Sequence, residues 1–373
     1  MSRDGRVREL PATLTENPGV LWELPLAHTG LGGIAATDRY VVFGDRDLDD
    51  FHDCFRCCDA DTGRLLWDVQ RLSIGALDYG NSPRATPLID GDRVFCLGAH
   101  GALLCINLAH GKVIWEQNLR DKFQPAADLP WGYCGSPLLI DGRLIVAPGA
   151  AEASLVALNP DTGAIIWTSR GTGPSYGSLI VGKFGDQRQI VGHDADSLGG
   201  WDIQTGRRLW TVKPTVAGDF NVPTPVAHEG RLLVTTENNG TRLYPFTNGG
   251  RIDARPVAYN SQLRPNMSSP VVVNGRVYCV NRFLYCLDGT DGLNELWRIR
   301  DSALSDYAAI IASDERIIVV GNGQLLLLNA DGSKNIIARQ RIFEEDLPLY
   351  SHPAIVGRHL YIRGEKKLVC TEL

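Results

Sequence analysis

The sequence predicts an all-β fold, an eight-bladed β-propeller of four-stranded antiparallel blades, on three observations. A segment ending in Gly-x-x-x-Trp recurs along the chain. A paired apolar stretch around an Asp-Gly or Asn-Gly turn recurs between those segments. The units that these hairpins open number eight. A fixed period of about 40 to 50 residues is the signature of a propeller or solenoid rather than of several unrelated domains.

The Gly-x-x-x-Trp segments align without gaps as CCDADTGRLLW to Trp67, INLAHGKVIW to Trp115, LNPDTGAIIW to Trp167 and WDIQTGRRLW to Trp210. CLDGTDGLNELW, to Trp297, carries one inserted residue. The Gly supplies a permissive backbone for the turn, and the Trp buries a large face between neighbouring blades. Two units lack the Trp, the fifth with NGGRIDARPV and the seventh with ADGSKNIIAR, so their junctions are expected to pack differently.

The hairpins read ATPLIDGDRVFCLG from Ala85, GSPLLIDGRLIVAPG from Gly135, PTPVAHEGRLLVTT from Pro223, SSPVVVNGRVYCV from Ser268 and SHPAIVGRHLYIRG from Ser351. Alternating apolar residues around Asp-Gly or Asn-Gly indicate two strands joined by a type I′ turn. Each unit thus supplies strands A, B, C and D, with the DxxTG turn between C and D and the Trp on D. Openings near Leu31, Ala85, Gly135, Gly177, Pro223, Ser268, Ala308 and Ser351 mark the eight units. The last has room for three strands, while NPGVLWELPL around Trp22 looks like an isolated strand D. Val20 to Leu24 is therefore expected to join the blade of Ser351 to Leu373, closing the ring and removing free sheet edges. Residues 1–373 form one propeller domain in this reading, with 1–16 as an extended N-terminal segment.

Composition narrows the function classes. A net charge of −6 with no basic tract gives no footprint for nucleic acid, whose binding rests on phosphate neutralisation by Lys and Arg. No apolar run approaches the roughly 20 residues that cross a bilayer, and MSRDGRVREL has no apolar leader core. Nine cysteines show no CxxC…CxxC zinc spacing. Cys96 and Cys105, and likewise Cys279 and Cys286, are equidistant from a turn centre and are expected to face each other across hairpins, as buried reduced thiols. The acidic run DRDLDDFHD, Asp45 to Asp53, lacks the Gly and terminal Glu of an EF-hand loop and is expected to be a solvated loop between strands. No metal site is expected.

Residues entering each strand A should circle one mouth of the channel. They are Gly32 and Gly33; Asn81 and Arg84; Trp131, Tyr133 and Cys134; Tyr176; Asp219 and Asn221; Asn266 and Met267; Asp306 and Tyr307; Tyr350 and His352. Such an aromatic and polar rim suits small molecules or peptide side chains. Arg84 offers a fork of donors to an anion, and Asp306 or His352 could serve as a base.

The recurring segments resemble the tryptophan-docking motif, AxDxxTGxxxW, of the quinoprotein-dehydrogenase-like superfamily, and they do so over nearly the whole chain. Trp22, Trp67, Trp115, Trp167, Trp210 and Trp297 are the docking residues by this resemblance. The superfamily holds both pyrroloquinoline-quinone (PQQ) dehydrogenases and BamB-like scaffolds, so function must come from a site. The dehydrogenases resemble one another in holding PQQ with Ca²⁺, an Asp base, a Trp beneath the quinone and often a vicinal disulfide. Cys57-Cys58 is the one apparent match, but on strand C adjacent side chains point to opposite faces. The favoured reading is a non-catalytic, monomeric binding or scaffolding module without a cofactor, recognising a protein or peptide at the rim. The alternative is a PQQ-dependent alcohol dehydrogenase-like oxidoreductase. A third class is saccharide or other small-ligand binding without chemistry. The resemblance also implies a periplasmic or cell-envelope location, with a natural leader missing from this sequence.

Overall fold

In the computed structural model, residues 5–15, 19–125, 129–305, 307–344 and 349–373 are described. They form eight four-stranded antiparallel sheets, an eight-bladed β-propeller. Blades 1 to 7 span 35–72, 88–118, 138–169, 180–212, 226–260, 271–299 and 309–341. Blade 8 spans 354–372 and takes its fourth strand from Gly19–Pro25, paired antiparallel to Lys367–Glu372 with Val20 opposite Thr371 and Leu24 opposite Leu368. The N-terminal strand therefore stands where the sequence put it. The chain divides into two compact units, one of blades 8, 1, 2 and 3 and the other of blades 4 to 7.

Local chemistry sets the hairpins. In blades 3, 5 and 6 the A–B turns place both central residues at positive φ: Asp141 and Gly142, Glu229 and Gly230, Asn274 and Gly275. That pair of conformations defines the type I′ turn, whose twist matches the flanking strands. A short helix, Leu119–Phe123, follows blade 2 and was not foreseen. Its Asn118 cap accepts from the Arg120 and Asp121 amides, satisfying donors that a helix start leaves open.

The docking tryptophans hold adjacent blades together within each unit. The indole Nε1–H of Trp22 donates to Ala60 O at 2.9 Å, Trp67 to Leu108 O at 2.8 Å, and Trp115 to Pro160 O at 2.9 Å. Each acceptor belongs to the C–D turn of the next blade. The turn glycine has a second role there, because a Cβ on Gly111 would lie 2.6 Å from the Trp67 side chain, and one on Gly63 2.5 Å from Trp22. Trp297 donates to Gly332 O at 2.6 Å, so blade 7 keeps the acceptor turn although its own strand D lacks a Trp. Trp167 is buried.

Blade 5 lacks that turn, and its junctions do pack differently. Trp210 donates to Gln189 Oε1 at 2.6 Å within its own blade, and Gln189 Nε2 donates onward to Gly250 O in blade 5 at 2.8 Å. Phe246 fills the remaining space, 4.2 Å from Phe184 between ring centroids. Towards blade 6, Asn260 Nδ2 donates to Leu293 O at 2.9 Å in place of an indole.

Two expectations about the strands are corrected. The B–C turns of blades 2 and 6 are centred on His100 and Arg282, so Cys96 lies opposite Leu104 and Cys279 opposite Tyr285. Arg282 sits at φ 59° and Gly101 at φ 99°, and the odd loop length slips each register by one residue. A one-residue slip reverses faces: Cys96 joins the core shared with blade 1 and Cys105 the core shared with blade 3, while Cys279 and Cys286 part in the same way. Neither pair can bond across its hairpin.

The acidic run is a solvated loop only in its middle, where Leu48, Asp49 and Phe51 are exposed between the two strands; its ends are buried. Asp45, Arg46 and Asp53 are fully buried on strands B and C of blade 1. Arg46 pairs with Asp53 at 2.9 Å and Asp50 at 2.7 Å, and Asp45 receives Arg363 at 2.9 Å and Arg56 at 2.6 Å. Buried charges persist where they are paired; Arg46 and Arg56 lie in or beside the run, but Arg363 comes from 318 residues away, too distant for the run to announce it. Among the described residues of 5–15, Val7 N–H donates to Ala312 O at 2.9 Å and Thr15 O accepts from Gln340 at 3.1 Å.

Candidate functional site: an aromatic array over a buried arginine

In the unit of blades 8 and 1 to 3, the loop from blade 1 to blade 2 is held from below. Arg46 donates to Ser73 O at 3.0 Å, Asn81 accepts from the Leu77 amide at 3.0 Å, and its Nδ2 donates to Asp50 at 2.7 Å. Asn81 is thus a brace for the loop. So fixed, the loop carries Tyr79 at φ 66°, a left-handed conformation that a bulky residue adopts at a cost of order 1–3 kcal/mol. Tyr79 is 63% exposed.

This backbone aims Tyr79 between two other rings, 6.3 Å from Trp131 and 6.5 Å from Tyr350, while Trp131 lies 4.7 Å from Tyr176. Four aromatic side chains form one continuous array, and Trp131, Tyr176 and Tyr350 are half-buried. Sequence reasoning found these three and missed Tyr79. The signal was present as an aromatic in Asp78-Tyr79-Gly80, two residues before Asn81, but only the positions nearest strand A were considered.

Arg84 lies behind the array, with 7% exposure. Its Nη2 donates to Asp78 O and, at 2.7 Å, to Gly80 O, whereas buried Nη1 has no hydrogen-bond partner. Burial lowers the guanidinium's pKa, with Cys134, Asp53 and Asp78 pulling the other way. The cation thus has an unspent donor next to the aromatic surface. Cys134 Sγ donates to Trp131 O at 3.3 Å, and burial pushes its thiol up to about 12, which makes it an inert wall at neutral pH.

The other predicted positions separate. Tyr133 is a core residue whose hydroxyl donates to Pro148 O at 3.2 Å. A Cβ on Gly33 would meet Thr86 and His352, and Gly32 O accepts from Ser351 Oγ at 2.6 Å, so these glycines allow the first strands to approach closely. His352 is exposed, and its carbonyl accepts from Ile34. In the unit of blades 4 to 7, Asp219 and Asn221 line a cleft of their own. Asn266 and Met267 are half-buried there, and Tyr307 is buried, with its phenol pushed up by desolvation. Asp306 lies outside the described residues. Cys57 and Cys58 face different cores, on opposite sides of strand C, and cannot present a vicinal pair to a ligand. Among the described residues, no group of three His, Cys, Asp or Glu side chains is placed to hold a metal ion.

Eight four-stranded blades, with indole-to-turn hydrogen bonds recurring at four of the junctions described, define a tryptophan-docked eight-bladed propeller. A family model described as "Outer membrane protein assembly factor BamB" matches residues 6–130 and 52–239, and the chain belongs to this PQQ-like β-propeller family. BamB of Shewanella oneidensis is 23% identical over 345 residues, covering 78% of this chain and 84% of that protein. The quinoprotein alcohol dehydrogenase PedH of Pseudomonas putida is 27% identical over 149 residues, 36% of this chain and only 23% of the enzyme. In structure, BamB of Moraxella catarrhalis matches with a TM-score of 0.63 at 14% identity, covering 95% of this chain and 97% of that one. The quinohemoprotein alcohol dehydrogenase of Comamonas testosteroni matches with a TM-score of 0.66 at 12% identity, covering 99% of this chain and 78% of that one. At such identities the structural likeness is one of fold.

Proposed function

We propose that this chain is a non-catalytic binding or scaffolding module of the cell envelope, which recognises a protein or peptide partner through the Tyr79–Trp131–Tyr176–Tyr350 array. The observation that carries the reading is that array, with Tyr79 held exposed in a costly backbone conformation. Large, stiff aromatics with polar tips are the residues that anchor protein interfaces. The relation to BamB, an outer-membrane assembly factor by name, extends over most of both chains, which favours a partner of the same kind. No helix among the described residues is long and apolar enough to cross a membrane, so attachment to an envelope component would come from such a partner or from a segment beyond this sequence.

The test is a pull-down from envelope extract with wild type, Trp131→Ala and Tyr79→Ala, fold being checked by circular dichroism. Selective loss of one or a few partners in both variants is expected. Unchanged partner lists in two folded variants would end the assignment to the array.

The quinoprotein dehydrogenase relatives favour a second reading, oxidation of an alcohol with bound PQQ. Against it stand the opposed faces of Cys57 and Cys58 and the lack of a grouped donor set among the described residues. Saturable PQQ and Ca²⁺ binding accompanied by dye-linked alcohol oxidation would overturn the non-catalytic reading.

A further inference from the structure

Two loops of the unit of blades 8 and 1 to 3 are tied together beside the aromatic array: residues 47–51, between strands B and C of blade 1, and residues 73–81, from blade 1 to blade 2. Ser73 N–H donates to Phe51 O at 2.8 Å, and Asn81 Nδ2 donates to Asp50 at 2.7 Å. The first loop is itself stiffened by Asp47, whose Oδ1 accepts from the Phe51 and His52 amides at 2.8 and 2.9 Å. This braced pair of loops holds large apolar side chains in solvent. Leu48 is 85% exposed, Ile74 67% and Phe51 52%. Tyr79, the most exposed ring of the array, belongs to the second loop. Apolar residues scattered singly over a surface need no explanation, but several on neighbouring loops beside exposed aromatics mark an interaction surface.

The charges on these loops have one sign. Residues 47–51 and 73–81 hold Asp47, Asp49, Asp50 and Asp78 and no Lys or Arg, and Asp49 and Asp78 are exposed. The adjoining cations are committed. Arg46 is fully buried and pairs with Asp50 and Asp53, Arg71 pairs with Glu116 at 2.5 Å, and buried Arg84 donates to the Asp78 and Gly80 carbonyls. Apolar side chains fringed by carboxylates complement a segment that carries Lys or Arg beside its own apolar residues. The same carboxylates repel an anionic lipid surface, and they repel a second copy of these loops placed face to face, as a two-fold dimer requires.

We propose that the two loops extend the aromatic array into a docking surface for a basic amphipathic segment of the partner protein, with Leu48, Phe51 and Ile74 taking its apolar side chains and Asp49 and Asp78 its Lys or Arg. The proposal rests on the reading of the array as a partner site and gives that partner's chemistry.

The test uses the full chain and a fluorescein-labelled amphipathic peptide of Leu and Lys, followed by anisotropy. A Leu and Glu peptide of the same pattern and a Ser and Lys peptide are the controls. Saturable binding of the Leu and Lys peptide is expected, with both controls far weaker. Leu48→Ser/Ile74→Ser should weaken it by about tenfold, and Asp49→Lys by about threefold at low salt and less at high salt. Leu296→Ser, at an exposed apolar position on blade 6, should change nothing. The substituted side chains of the loops are solvent-exposed, and circular dichroism checks that each variant is folded. No saturable binding, equal binding of the Leu and Glu peptide, or unchanged affinity in Leu48→Ser/Ile74→Ser would each overturn the proposal. Self-association or anionic-vesicle binding that Leu48→Ser/Ile74→Ser abolishes would overturn it as well. Trp131→Ala reports the array separately: loss of binding in Trp131→Ala alone would overturn the loop surface and leave the array, and loss in the loop pair alone would do the reverse.

Discussion

Replacing Gly111 by Ala tests the two roles assigned to the docking glycine. Gly111 has φ 69°, and a Cβ there would lie 2.6 Å from the Trp67 Cβ and Cγ. Gly142, in the A–B turn of blade 3, has nearly the same φ of 68° but open space where its Cβ would stand. Gly142→Ala therefore meets only the left-handed backbone penalty, about 1–2 kcal/mol. Gly111→Ala adds forced displacement of a packed indole, about 1–3 kcal/mol more, for a total of roughly 2–5 kcal/mol. Trp67→Ala should itself cost about 3–5 kcal/mol. In the double variant Gly111→Ala/Trp67→Ala the overlap with the indole ring is gone and only that with the residue 67 Cβ, now free to shift, remains, so the pair should be less destabilised than the sum by about 1–2 kcal/mol. Urea denaturation of the four variants, followed by circular dichroism, measures each quantity. Equal destabilisation by Gly111→Ala and Gly142→Ala, with additive behaviour in the double variant, would refute the docking role and leave only the turn.

Three further outcomes are expected. Gln189→Leu removes the relay between Trp210 and Gly250 and strands an indole N–H and a carbonyl; a loss of roughly 2–4 kcal/mol is expected, partly recovered in Gln189→Leu/Trp210→Phe, and a near-neutral single variant would contradict the relay. Burial raises the Asp53 carboxyl from its ordinary 3.8 to about 6 despite the pull of Arg46. The folded state then binds more protons than the unfolded one between about pH 4 and 6, so stability should fall through that window by about 3 kcal/mol and level off above it. Asp53→Asn should flatten that slope, and urea midpoints measured across pH 4–7 that are the same in both proteins would count against it. Prolonged exposure of the native protein to oxidised glutathione should leave Cys96 and Cys105 unlinked to each other, as read by mass spectrometry after alkylation; an intramolecular link between them would disprove the register.

The blades were legible because their determinants are local and repeated. The type I′ turns at Asp141-Gly142 and Asn274-Gly275 are fixed by two residues each, and the alternation around them sets which face is buried. The partner strand of blade 8 was also legible, since Gly19–Pro25 carries a Trp22 of strand D type with no blade ahead of it. The site was legible only in part. Trp131, Tyr176 and Tyr350 could be placed near a strand A by counting along the chain. Their convergence with Tyr79 could not, because it depends on a left-handed residue braced by Asn81 on Asp50.

What the sequence determined by itself was thus the number of blades, their order and the Trp that packs between neighbouring blades in those units that carry it, all written in repeats a few residues long. The tertiary structure alone decided which polar residues are buried and with whom. Arg363 meets Asp45 across 318 residues of chain, Gln189 replaces a missing turn 61 residues away, and Cys96 and Cys105 part because one loop is odd rather than even. Charge pairing and face selection depend on what arrives from distant strands, and a local pattern cannot carry that information.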